Sequence, residues 1–178
     1  MSYTVPPTFV DATPGEASDI NILGDDLIDH EARIVSQSFS GVTLVDASAS
    51  VNNATWTDIT WDSSTFDEGG WWASGATFTV PAGSVAAGFT SCVVEVTFDC
   101  HFVTDNAGVR WQRFLLNGAE YRRFSTGAVD GAGTEMGHTV PIICVDGDEV
   151  RVQVYQTSGG ALNVDEKFLY AKRAGLIV

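Results

Sequence analysis

From residue 92 to residue 102 every even position is apolar: Cys92, Val94, Val96, Phe98, Cys100 and Phe102. The intervening positions are mostly polar, with Glu95, Thr97, Asp99 and His101 among them. Strict period-two alternation marks a strand with one face in a core and the other outside. The strand extends over 88–103. Strand-like runs recur at 38–47, 54–61, 71–80, 108–116, 119–125, 137–145, 149–157 and 167–174, rich in Val, Thr, Phe and Trp. Asn117-Gly118 is the strongest hairpin signal, because both residues tolerate the positive φ of a tight turn. Asp105-Asn106-Ala107-Gly108 and Asp146-Gly147 are further turns. Residues 62–70 read as a loop. Short strands at this spacing predict a mostly β fold, an antiparallel jelly-roll sandwich spanning 36–178.

The front of the chain follows other rules. Pro6-Pro7 excludes a regular helix over 1–12, and Tyr3, Val5, Phe9 and Val10 are apolar without a core period, so this stretch reads as an extended anchoring arm or a disordered terminus. Residues 13–35 read as one short helix. Thr13, Pro14 and Glu16 form a capping-box start, and Asp19 suits the positive end of the helix dipole. Ile20, Leu23, Leu27, His30 and Ile34 then follow at alternating steps of three and four, the seam of a short coiled coil. Ile22 and Ile28 lie off that seam. The stripe predicts either a self-associating, trimeric helix or an amphipathic helix packed on its own sandwich.

Length allows one well-buried domain with a short extension. No run approaches the roughly 18 apolar residues of a membrane span, and no signal peptide is visible at the N-terminus. The net charge is −14, with nine basic residues against 23 acidic. Such a surface repels phosphate backbones and anionic lipids, so neither nucleic acid nor membrane is an expected partner. Acidity also suits solubility at high local concentration, and low-affinity calcium binding is the minor alternative. The three cysteines include Cys92 and Cys100 on one strand face, roughly 26 Å apart along an extended chain, too far to bridge. Cys144 could meet either across the sandwich. All three read as buried thiols of a protein made in a reducing cytoplasm.

No catalytic constellation emerges. His30, His101 and His138 are isolated, with no nucleophile elbow and no metal-ligand spacing. No metal or other cofactor is expected, and the chain reads as a non-enzyme. The loop 62–70 and the turn Asp146–Glu149 are the best places for a calcium ion, without matching any known loop spacing. Arg110, Arg113, Arg122 and Arg123 cluster on two strands joined by the Asn117-Gly118 turn. They read either as cross-strand partners of acidic neighbours or adjacent subunits, or as a patch for an anionic glycan or a shell protein. Trp56, Trp61, Trp71 and Trp72 suit core packing, or stacking on sugars if exposed.

Two resemblances give these readings a direction. Phe78-Thr79-Val80-Pro81, then Gly88-Phe89, the alternating strand ending Val96-Thr97-Phe98, and Gly147-Asp148-Glu149-Val150 resemble the motif series of the complement globular-head and tumour-necrosis-factor-like jelly rolls. The resemblance covers about 36–174, and Phe89 stands where that family usually has Tyr. It implies a homotrimer packed around an axis, with Trp71, Trp72, Phe89, Tyr155, Leu176, Ile177 and Val178 as candidates for the interface or the core. The opening, Tyr3-Thr4-Val5-Pro6-Pro7-Thr8-Phe9-Val10 followed by Pro14-Gly15-Glu16 and Ala17-Ser18-Asp19-Ile20-Asn21, is similar to the start of many tailed-bacteriophage structural proteins. Together they imply a trimeric virion protein on the particle surface. Its arm would hold the major capsid protein or a tail protein, as a capsid decoration protein or head fibre. A tail or baseplate appendage, or a glycan-binding receptor tip, is the alternative.

Overall fold

A computed structural model describes residues 40–105, 107–129 and 131–178. The expected arm (1–12: Tyr3, Val5, Pro6, Pro7, Phe9, Val10) and helix (13–35: Ile20, Leu23, Leu27, His30, Ile34) lie outside the described residues. Ten strands follow one another: β1 Gly41–Val51, β2 Thr57–Asp58, β3 Ser63–Glu68, β4 Thr77–Thr79, β5 Ser91–Phe102, β6 Val109–Leu116, β7 Ala119–Gly127, β8 Thr134–Cys144, β9 Glu149–Gln156 and β10 Leu162–Ile177. They form two sheets. The first has the order β3-β1-β10-β5-β8; the second has β2-β9-β6-β7, with β4 also pairing with β9. Every pairing between these strands is antiparallel. Long connections that pass between two antiparallel sheets make this a jelly-roll sandwich.

The alternation seen in the sequence is the reason for the two layers. Cys92, Val94, Val96, Phe98, Cys100 and Phe102 point from β5 into the core, and Val150, Val152 and Val154 meet them from β9. Burying such a face is the main favourable term in folding, worth about 1.5–3 kcal/mol per large aliphatic or Phe side chain. Cys144 pairs with Cys92 between neighbouring strands of one sheet, not across the sandwich. All three cysteines are free and buried. Burial pushes the Cys100 and Cys144 thiols up to about 12, so neither supplies a thiolate near neutral pH.

The short motifs of the sequence turn out to bind one another. Phe78 and Val80 are fully buried. The Val80 N–H donates to Asp148 O, and the Gly147 N–H donates to Val80 O, both at 2.8 Å. Asp146 then accepts from the Gly83 and Val85 N–H groups. Asn117 and Gly118 adopt φ of 51° and 79°, the left-handed pair a two-residue hairpin requires.

Of the runs read as strands, 54–61 and 71–80 keep only Thr57–Asp58 and Thr77–Thr79, and two further readings need correction. Residues 63–68 are not a loop but an edge strand paired with β1 alone. Its exposed Ser63, Ser64 and Thr65 carry no apolar alternation, because an edge strand buries little. β10 begins at Leu162, five residues before the run recognised in the sequence. A bulge between Asp165 and Phe168, with Glu166 at φ 50°, breaks the period there and returns Lys167 to the inner face.

Candidate assembly face

The outward positions of the first sheet form cross-strand rows. One row is Thr43–Tyr170–Thr97–Thr139. On one side of it lies Val45–Phe168–Asp99–Gly137; on the other lies Gly41–Lys172–Glu95–Pro141, and then Gly175–Val93–Ile143. The central row has no charge; Thr97 and Thr139 share a hydroxyl hydrogen bond of 2.8 Å. Glu95 and Lys172 cancel one another at 3.4 Å. Phe168, Ile143 and Val145 are 37%, 54% and 46% exposed. On a chain of charge −14, a face built mainly of Thr, Val, Ile, Tyr and Phe is suited to burial against another protein surface. Its far end differs: Asp99, His101, Glu135 and Glu166 line an acidic depression of about 320 Å³.

The seven residues offered by the sequence as interface or core do not form one surface. Trp71 is core. Its backbone N–H and that of Trp72 donate to the two Asp67 oxygens at 2.7 and 3.1 Å, and its indole N–H reaches Ser40. Trp72 and Leu176 pack part-buried against that core. Tyr155 lies on the outer face of the second sheet, against Trp56. Ile177 pairs with Ser91 at the end of the first sheet, beside Phe89, which is 38% exposed, and Val178, which is 90% exposed.

The arginine patch is also corrected. Arg110 is fully buried. It donates to the Ala107 and Asp105 carbonyls at 2.9 and 3.0 Å and stacks over Phe102. Burial pulls its pKa down, against the pull of Asp105. A separation of three in a strand places two residues on opposite faces, so Arg113 points outward where Arg110 points in. Arg113 and Arg123 are cross-strand partners, and Arg122, adjacent to Arg123, belongs to the opposite phase. Arg113 lies 4.0 Å over the Trp56 ring, bonds Gln153 at 2.7 Å and pairs with Glu120 at 3.0 Å. Arg123 lies over Trp111 and pairs with Glu120 at 3.5 Å.

The calcium loops use their oxygens otherwise. Asp67 and Asp146 accept backbone N–H groups, and Asp148 accepts from Asn117 and Val145. His101 bonds Asp165 at 2.6 Å on the outer face. His138 bonds Gln112 at 2.6 Å and stacks on Phe124 at 3.9 Å, and burial lowers its pKa. The outward residues Val93, Ile143, Phe168 and Tyr170 were not singled out by the sequence. The signal for Val93 was the other phase of the very alternation that identified β5.

No family model matches the chain, and no curated protein is similar to it in sequence. Solved structures are similar in fold. Murine APRIL superposes with a TM-score of 0.55 at 14% identity, over 77% of this chain and all of that one. The globular domain of the zebrafish complement 1qA protein gives 0.52 at 9% identity, over 74% and 94%. The vertex protein P5 of PRD1 gives 0.53 at 17%, over 76% and 97%. The sandwich is similar in fold to the complement-head and tumour-necrosis-factor-like jelly rolls. At these identities the similarity establishes fold alone.

Proposed function

We propose that the chain is a non-enzymatic structural protein of a phage virion: a homotrimeric capsid decoration protein or head fibre, displayed on the particle surface. The observation that carries this reading is the outward face of the first sheet, where Tyr170, Thr97, Thr139, Val93 and Ile143 present a largely uncharged surface on a strongly acidic chain. Around a threefold axis each subunit would bury this face against its neighbour. The resemblance to a trimeric jelly-roll family supports the stoichiometry, and the similarity to the PRD1 vertex protein supports a place on a virion. Residues 1–12 hold the major capsid protein or a tail protein. Among the described residues His101 and His138 are engaged in side-chain hydrogen bonds and the cysteines lie in the core, which supports a role without catalysis.

Light scattering on the purified chain tests the assembly. The expected mass is three times 19.0 kDa; a stable monomer at micromolar concentration overturns the reading. Co-sedimentation with virions tests the attachment. Deletion of residues 1–12 is expected to abolish particle binding and leave a soluble trimer, and unchanged binding would refute the anchoring role.

A further inference from the structure

A threefold ring sets a condition that one face alone cannot meet. A twofold contact joins a patch to its own copy, whereas each contact in a threefold ring joins two different patches that must complement one another. The outer face of the first sheet is one of them. The other has to suit the aliphatic and aromatic groups of that face, and it has to answer a charge. Asp99 lies within the face, between Phe168 and Gly137 in one cross-strand row. It is exposed, and among the described residues its carboxylate has no hydrogen-bond or ion-pair partner. The carboxylate leans over β8, where a Cβ at Gly137 would collide with Asp99 Oδ1. Lys172, the basic residue of this face, is already paired with Glu95. Burying Asp99 against another subunit without a cation would oppose assembly.

A second surface meets the face along β8. β7 and β8 are the terminal strands of their two sheets, and the Tyr121 hydroxyl donates to the Pro141 carbonyl across the seam between them at 3.2 Å. This flank carries Tyr121, which is 41% exposed, the exposed Ile143, and Arg122. Arg122 stands across from the fully buried Phe114, so it belongs to the seam and not to the outer layer of the second sheet. No strand lies beyond β7, and Arg122 stays exposed. Of the basic side chains among the described residues, it alone has no partner. Tyr and Arg beside aliphatic groups are the residue types that protein interfaces favour.

We infer that the ring closes flank to face: the β7–β8 flank of each subunit seats on the outer face of the first sheet of the next subunit, and Arg122 pairs there with Asp99. The inference rests on the threefold reading proposed above and adds the contact that makes the ring. Flank and face adjoin along β8, so the three β8 strands lie innermost, and the Asp99 carboxylate, leaning over β8, is turned toward the arriving flank. The outer layer of the second sheet, with Arg113 and Arg123, stays outside the contact.

Sedimentation equilibrium of the full chain at several concentrations tests this contact in Arg122→Asp, Asp99→Arg and the double variant. Each single variant sets like charges against one another and is expected to weaken the trimer on the order of tenfold. The double variant restores the pair with its signs exchanged and is expected to recover to within about threefold of the unaltered chain. A monomeric unaltered chain overturns the threefold reading and this contact with it. A trimer whose affinity is unchanged by either single variant overturns the contact alone and leaves the assembly face standing. Weakened single variants without recovery in the double variant also overturn it, since Arg122 and Asp99 then act on other groups. Both residues are exposed, and thermal unfolding at a concentration where the variants are monomeric shows that each is folded.

Discussion

The two sheets share one core and turn opposite kinds of surface outward. The second sheet covers its own outer face. Arg113 and Arg123 lie over Trp56 and Trp111, Glu120 ties the two arginines, and Leu115 is sealed beneath. The first sheet leaves Ile143 and Phe168 exposed without such a cover; Lys172 lies over Tyr170, and its pair with Glu95 is neutral. A face that satisfies itself in water has no need of a protein partner; a face of short hydroxyls and aliphatics gains by losing water. The contrast teaches that two sheets with the same inner alternation acquire different roles through the outward phase alone.

The largest expected effect removes what both faces stand on. Phe98 is fully buried and meets Trp61 edge-on with ring centres 6.0 Å apart. Phe98→Ala is expected to cost about 4 kcal/mol, seen as a large fall in unfolding temperature with both faces lost together. Next comes the sharpest separation of the two. Ile143→Asp replaces an exposed side chain, so an isolated subunit should keep its stability within about 0.5 kcal/mol. Assembly should weaken by about 3 kcal/mol, on the order of a hundredfold, because a charge is buried unpaired. Sedimentation at several concentrations checks this, and an unchanged mass would break the assignment of the first sheet as the assembly face.

The seam between the sheets responds to pH. Burial lowers the pKa of His138 where it packs on Phe124 and bonds Gln112. The unfolded chain therefore binds the proton more readily than the folded one. The stability His138 contributes is complete above its ordinary value of about 6.5 and is lost as the pH falls through and below it. His138→Gln is expected to flatten that part of the profile of unfolding temperature against pH; an equally steep profile would show that other groups control it. The smallest effect belongs to the self-covered face. Arg113→Ala should cost about 1 kcal/mol through the lost contact with Trp56 and leave the oligomer unchanged, whereas dissociation would place the second sheet in the interface.

Much of the fold was legible because a β-sandwich writes its core into the chain at period two. The alternation of β5, the Asn117-Gly118 hairpin and the late strand 149–157 all needed only local sterics and burial. The edge strand β3 was not legible, since a strand paired on one side and wet on the other has no apolar phase to display. The start of β10 was hidden by the bulge at Glu166, which shifts the phase by one residue. The arginine cluster was misread although the information was present. Arg110 and Arg113 are an odd number apart, and a strand sends such a pair to opposite faces.

By itself the sequence determined which residues alternate, where the chain turns and how acidic the surface is, because these follow from neighbours a few positions away. It could not decide which strands lie side by side. Only the pairing of β10 with β5, and of β5 with β8, lines up Tyr170, Thr97 and Thr139 from segments far apart in the chain. Likewise only the pairing of β9 with β6 and β6 with β7 sets Tyr155, Trp111, Arg113 and Arg123 in one layer. Both faces are products of register, and register is a long-range choice made when the two sheets close on their common core.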